Sequence, residues 1–539
     1  MGVFPVGKKV YEKWYDGEVL RLTKRRKKGF LALIFSRFLV IVLLLILQIL
    51  LFSGLLVWLG DFKPYFHFMN GLLTLVMLVY LFSCDMDPTA KLTWVFFMAL
   101  FPIPISIFLL YTRSGIGHRR IKKRVAELTA ETIRMIPQDP KTFAAISTYG
   151  DGTDALLRWL NTSGCFPAYG AARTRYYASG AEYCDACVKE LAKAQKYIFL
   201  ESFLIEEGYV WGKVLEILIE KAAAGVDVRV LYDGMCEIAL LPMDYNERLE
   251  SFGIHAKAFA PIRPAFSTQY NYRDHRKIMV IDGRVAFTGG INLADEYAGK
   301  KERFGVWKDA GLQVCGEAVR SYTLAFLQMW NIDEAEPVWE PFVSVSGQAE
   351  ESAEEGEGFV VPYSDCPIDD YKVGETVYLD IINRADRYVY IMTPYLILDG
   401  EMEGALRYAA QRGVDVRIVL PGIPDKKSVY ALAKSYYRVL LDAGVKIYEY
   451  TPGFVHAKVF LCDDKKAVVG SVNLDYRSLY HHYECATYLY RTDSTLRAIA
   501  EDFAEVIGKS RIVTYETLRN ESLYNKFVGV LMRFVAPLM

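Results

Sequence analysis

Apolar positions along the chain follow two regimes. Near the N-terminus they are continuous: Phe38–Leu59, Tyr65–Phe82 and Leu92–Tyr111 run for 22, 18 and 20 residues without a charged side chain. Each reaches or approaches the ~20 residues that a helix needs to cross a ~30 Å hydrocarbon core. Backbone polar groups at that depth must be satisfied within the segment, so helices are the expected form. The pattern predicts a membrane anchor over 29–111 with two or three transmembrane helices. A cleaved leader is disfavoured, because two further apolar runs follow the first and no small-residue cleavage site is obvious. From about residue 165 onward, short strand-length apolar runs alternate with longer helix-like stretches, which is the pattern of an α/β fold.

That second region repeats itself. Ala222–Arg229 reads AAAGVDVR and Ala409–Arg417 reads AAQRGVDVR. HRKIMVIDGRVAFTGGIN begins at His275, and HAKVFLCDDKKAVVGSVN begins at His456, 181 positions later. The division that follows is a basic tail (1–28), the anchor (29–111), a basic helical connector (112–164), a first α/β half (165–345), an acidic linker (346–358) and a second half (359–539).

Charge sharpens the picture. The whole chain is close to neutral at −1, yet residues 1–28 hold nine Lys/Arg against three acids, and 112–124 hold six with no acid. Both basic clusters flank the apolar block, where they can meet anionic lipid and favour the cytoplasmic side. The expectation is a multi-pass protein of the cell membrane, with its catalytic body on the cytoplasmic face. That body is left strongly acidic, which argues against a nucleic-acid partner. Nine cysteines in 539 residues form no disulfide framework. Cys184-x-x-Cys187 lacks the second ligand pair that a zinc site needs. Leu523–Met539 carries only Lys526 and Arg533 as charges and reads as a packing or interfacial helix.

The candidate chemistry lies in the repeat. Each copy holds His-x-Lys followed five positions later by Asp: His275, Lys277, Asp282 and His456, Lys458, Asp463. At average composition one histidine meets this spacing by accident about 0.4% of the time, so two hits among seven histidines are not chance. Gly290 with Asn292, and Ser471 with Asn473, recur after them. On a strand His and Lys at i and i+2 share a face, whereas each Asp begins a turn and is expected to fix it rather than touch substrate. Glycine admits close backbone approach and the asparagines offer amide donors. Two imidazoles, two ammonium groups and two carboxamides around one centre suit a phosphodiester. One imidazole can attack phosphorus while the other carries a proton, and the cations stabilise the equatorial oxygens. No metal or other cofactor is required.

At these residues the chain resembles the phospholipase D superfamily, whose signature is HxK(x)4D followed by GG/GS-x-N. Within it the chain is most similar to the bacterial cardiolipin synthases. Asp87–Leu92 (DPTAKL), Asn271–Lys277 (NYRDHRK), Thr393-Pro394-Tyr395 and Gly470–Ser478 (GSVNLDYRS) carry the likeness, which covers the anchor and nearly all of 165–539. Cys462 before Asp463, and three apolar runs where many relatives show two, depart from the pattern. The resemblance implies transmembrane helices followed by two similar phospholipase D-like domains, with the active site at their pseudo-twofold interface. It also implies transfer of a phosphatidyl group between two phosphatidylglycerol molecules through a phosphohistidine, in contact with anionic membrane lipids. His275 becomes the nucleophile and His456 the acid/base. Asp309 and Glu484, 34 and 28 residues downstream of the respective histidines, resemble the carboxylates that fix each ring. The motif leaves the acceptor open: water would make the chain a hydrolase, and another alcohol a different transphosphatidylase. A nuclease conflicts with the acidic body, and an inert scaffold has no use for both a nucleophile and an acid.

Overall fold

A computed structural model describes residues 11–23, 63–114, 118–261, 271–340, 342–343 and 356–538. The chain forms two compact units, one made of 23–116 with Leu538 and the other of the remainder.

The smaller unit corrects the expected anchor. Lys63–Ser83 is one helix of 21 residues, whose apolar run is interrupted by Asn70 and Thr74. Leu92–Tyr111 is not one helix. It breaks at Phe101 into Pro88–Leu100 and Pro102–Arg113, because Pro102 lacks the N–H that would continue the first helix and is well suited to start the second. At 1.5 Å per residue these pieces are only about 18–20 Å long. Among the described residues no helix is long and apolar enough to cross a membrane, and Phe38–Leu59 lies outside them. This overturns the transmembrane helices of the expected fold, and with them the multi-pass cell-membrane placement and its sidedness; the described residues give the expected integral attachment no support.

In the larger unit the N-terminal tail is partly built in. Trp14–Asp16 and Val19–Arg21 form an antiparallel hairpin. Its Arg21 donates to the Glu207 carbonyl, and Leu20 sits so close to Gly212 that a Cβ there would come within 2.9 Å of the Leu20 carbonyl oxygen.

Two mixed sheets form the body. The first half supplies β1 (Arg173–Tyr177), β2 (Tyr197–Ser202), β3 (Asp227–Asp233), β4 (His255–Phe259), β5 (Lys277–Ile281), β6 (Val285–Gly289) and β7 (Gly311–Cys315). They lie in the order β1-β7-β6-β5-β2-β3-β4. The second half supplies β8 (Phe359–Asp365), β9 (Tyr388–Met392), β10 (Asp415–Pro421), β11 (Lys446–Tyr450), β12 (Val459–Cys462), β13 (Lys466–Gly470), β14 (His482–Tyr490) and β15 (Ser510–Ile512). Their order is β8-β14-β13-β12-β9-β10-β11-β15, the same sequence of strands with β15 added at one edge, while the two-residue strand Tyr169–Gly170 pairs with β8 at the other. In both halves the β-α-β crossover strands pair in parallel (β2 with β3, β9 with β10), and the histidine-proximal hairpins (β5–β6, β12–β13) are antiparallel.

The halves share one interior. A central apolar cluster joins Ile278, Val280 and Ala286 to Val459, Leu461, Val469 and Cys485, and separate clusters lie under the outer helices of each half. Two short pairings stitch the rim: Val306–Lys308 runs parallel to Gly453–Val455, and Arg273–Asp274 runs parallel to the start of β14.

Candidate active site

Each histidine sits in an extended segment just before its hairpin, and each is held by the opposite half. The His275 amide donates to the Tyr483 carbonyl at 2.9 Å, and the His456 amide donates to the Lys308 carbonyl at 2.7 Å. The next residue on each of those strands is a carboxylate. His275 Nδ1 lies 2.9 and 3.0 Å from the two oxygens of Glu484, and His456 Nδ1 lies 2.7 Å from Asp309 Oδ2. The carboxylates therefore exchange partners: Asp309 serves the second histidine and Glu484 the first, the reverse of the pairing by chain order. The two stitches at the rim produce the exchange, since each lays a carboxylate-bearing segment of one half beside the other half's histidine.

All four groups are buried. Burial holds His275 near a pKa of about 3, against the upward pull of Glu484, and holds His456 near about 4, with Lys458 adding to the fall and Asp309 opposing it. Burial alone would raise both carboxyls, but the facing imidazoles outweigh it, so Glu484 and Asp309 sit below the usual carboxylate range. With Nδ1 engaged on each ring, Nε2 is the nitrogen left for chemistry.

The lysines fold back on their own cassettes. Lys277 Nζ donates to the His275 carbonyl and Lys458 Nζ to the His456 carbonyl. Burial lowers Lys277 to about 8, opposed by Glu484, and lowers Lys458 to about 7, opposed by Asp309 and aided by Lys277. Each lysine thus senses carboxylates from both halves.

Gly290 and Ser471 play unequal parts. A Cβ on Gly290 would stand 2.2 Å from Asp309 Oδ1, so only glycine lets this carboxylate approach. Ser471 instead donates from Oγ to Glu484, and to the Cys485 carbonyl at 3.1 Å. Asn292 Nδ2 donates to Tyr297 Oη at 2.7 Å. The amide oxygens of Asn292 and Asn473 are buried without a protein partner.

Asp282 and Asp463 lie elsewhere. Each starts its hairpin turn with φ near +55° and accepts three backbone N–H bonds: Asp282 from Gln195, Lys196 and Tyr197, and Asp463 from Asp386, Arg387 and Tyr388. Five residues of extended chain, about 16 Å, separate them from the lysines. Through these bonds they lock the far end of each hairpin onto the start of β2 and β9.

Several neighbours escape the motif. His482 lies with its ring centroid 5.2 Å from that of His275 and its Nδ1 3.5 Å from Glu484 Oε1, and Arg477 Nε donates to its Nε2 at 3.3 Å. Its position two residues before Glu484 on one strand is a readable signal, because such residues share a face. Phe203 packs against His275, and Tyr297 and Trp307 against His456. His275, His482 and Glu484 offer ligand atoms within 4.8 Å of one another, so they could hold a metal ion. With Lys277 and Arg477 alongside, however, the surroundings suit an anion better than a cation.

Comparison with known proteins fits this geometry. The family model described as "Cardiolipin synthase, PLD-like domain" matches residues 187–330 and 378–507, one segment in each half. A cardiolipin synthase of Alkalihalophilus pseudofirmus is 33% identical over 466 residues, 86% of this chain and 91% of that protein. The chain belongs to the cardiolipin synthase family of the phospholipase D superfamily. An uncharacterized protein of Streptococcus mutans is 51% identical over 86% of this chain and 99% of its own length. The crystal structure of a phosphatidylserine synthase from Haemophilus influenzae superposes with a TM-score of 0.53 over 72% of this chain and 97% of that one, at 15% identity, a likeness of fold. Family membership makes the chain a phospholipid phosphatidyltransferase of the phospholipase D type.

Proposed function

We propose that the chain makes cardiolipin and glycerol from two molecules of phosphatidylglycerol, with the His275 and His456 rings acting on one phosphorus. The observation that carries this reading is the pair of exchanged histidine–carboxylate bonds, which orients both rings through a single interface. In the first step His275 Nε2 attacks the phosphorus. The P–O bond to the terminal glycerol breaks, and the His456 Nε2 proton passes to the departing oxygen. In the second step His456 takes the proton of a second phosphatidylglycerol's terminal hydroxyl, that oxygen bonds to phosphorus, and the N–P bond breaks.

Glu484 and Asp309 stay ionised and steady each imidazolium as it forms. Burial keeps His275 unprotonated and nucleophilic. A phosphodiester anion beside His456 raises that ring toward neutrality, so that it arrives as the acid. Lys277 and Lys458 keep N–H donors for the equatorial oxygens, where charge builds in the transition state. Turning the Asn292 amide over would let Tyr297 donate to its oxygen and free Nδ2 for the same purpose.

The full chain is incubated with phosphatidylglycerol in detergent and the lipids are analysed. Cardiolipin with one equivalent of glycerol is expected. Phosphatidic acid as the main product would make the chain a hydrolase, and neither product would reject the reading.

A further inference from the structure

The C-terminal helix Leu523–Val535 touches the body by one side only. Gly529 meets the Ala431 carbonyl oxygen so closely that a Cβ would stand 2.5 Å away, and Met532 packs on the core of the second half. Arg533 donates to Glu403 at 2.8 Å with its guanidinium 4.2 Å over the Tyr436 ring. Ser522 caps the start by accepting from the Asn525 amide.

The other side is apolar and open. Leu523, Tyr524, Phe527, Val530, Leu531 and Phe534 are between 49% and 83% exposed. They recur at intervals of three and four, so they form one stripe along the helix. A continuous exposed stripe of this kind marks a contact surface. The helix contains no acid; its charges are Lys526 and the inward-facing Arg533. Arg533 being held by Glu403, a second copy set twofold against it would bring the Lys526 of each copy together with no carboxylate from the helix to pair them. Anionic head groups would neutralise them. Thirteen residues span about 20 Å, too short to cross a bilayer but fit to lie along its surface.

We propose that the outer face of Leu523–Val535 docks on an anionic phospholipid surface. Its apolar stripe enters the boundary between head groups and acyl chains and holds the second half against the layer that contains the substrate. This rests on the phospholipid-substrate reading above.

The test uses the full chain with phosphatidylglycerol vesicles, phosphatidylcholine vesicles and no lipid. Hydrogen exchange is followed in the peptide covering 523–535. Turnover is measured on long-chain phosphatidylglycerol vesicles and on monomeric short-chain phosphatidylglycerol. Phosphatidylglycerol vesicles should slow exchange there at least tenfold, and phosphatidylcholine much less. Phe527→Glu with Leu531→Glu should abolish that protection and lower vesicle turnover at least tenfold, leaving turnover of the monomeric substrate within twofold. Unchanged exchange on phosphatidylglycerol vesicles overturns the proposal. So does equal protection by both lipids, which removes the anionic requirement, or lipid-free protection that grows with protein concentration, which makes the occupant a second copy. If the parent turns over neither substrate the catalytic reading fails, while the exchange data still decide the docking.

Discussion

The two halves carry the same strands in the same order, yet they support their histidines by different means. Behind His275 lies a buried ionic knot: Arg276 reaches Glu201 at 2.6 Å and Asp274 at 3.4 Å. At the matching position behind His456 stands Ala457, fully buried in the shared apolar core. Glu484 receives His275 and Ser471 and has His482 nearby, whereas Asp309 receives His456 and its own neighbour's amide, from Ala310. The backbone frame is symmetric and the chemistry laid on it is not. Duplication supplied two equivalent seats, and the local side chains give one ring a crowded polar environment and the other an aromatic one. Because each carboxylate comes from the opposite half, neither half orients its own histidine.

The comparison can be broken most severely at the rings. His275→Ala and His456→Ala should each lower turnover of phosphatidylglycerol at least 10³-fold, since both steps need both rings; substantial rate in either variant would remove the shared-phosphorus scheme.

The exchange itself is sharpened at the carboxylates. Glu484→Gln and Asp309→Asn should each cost about 10²–10⁴ in turnover by upsetting ring orientation and charge. In a double-mutant cycle, Glu484→Gln should add little once His275 is gone, and Asp309→Asn little once His456 is gone. The opposite pattern would restore pairing within each half.

The ionic knot predicts unequal stability. Arg276→Met leaves Glu201 and Asp274 buried without their cation and should cost about 3–5 kcal/mol in denaturant unfolding. Ala457→Gly should cost about 1 kcal/mol. Equal losses would mean that the knot is not what supports the first seat.

The pH profile follows from the lysines. Their folded pKa values of about 8 and 7 lie below the ordinary 10.5, so both ammonium groups are lost as pH rises through this range. The kcat/KM should therefore fall on the alkaline side between about pH 7 and 8, and Lys458→Arg should move that limb upward. The same shifts make the unfolded chain bind more protons than the folded one between about pH 7 and 10.5, so these groups make stability rise with pH there. The smallest effect is expected at Ser471→Gly, which copies Gly290 and removes one hydrogen bond to Glu484, for about a tenfold loss in turnover.

Local chemistry at a fixed spacing was legible in the chain. The recurrence of His275, Lys277 and Asn292 as His456, Lys458 and Asn473 marks two copies of one site, and the parity of Asp282 separates it from the face shared by His275 and Lys277. Long-range pairing was not. Nothing near His275 in sequence points to Glu484, because that contact depends on Arg273–Asp274 docking against a strand some two hundred residues away. The apolar run at Leu92–Tyr111 misleads for a local reason: uncharged length is visible, but Pro102 and Pro104 restart the helix. The tail before residue 28 reads as basic because charge dominates its composition, whereas Leu20 and Leu22 give it a docked hairpin.

The shared-phosphorus mechanism is tested most directly by trapping its intermediate. The full chain is mixed with phosphatidylglycerol, quenched in alkali within a turnover, and mapped by mass spectrometry. A phosphatidyl group on the peptide containing His275, absent in His275→Ala, is the predicted result. An adduct on His456, or burst turnover with no histidine adduct at all, would contradict it.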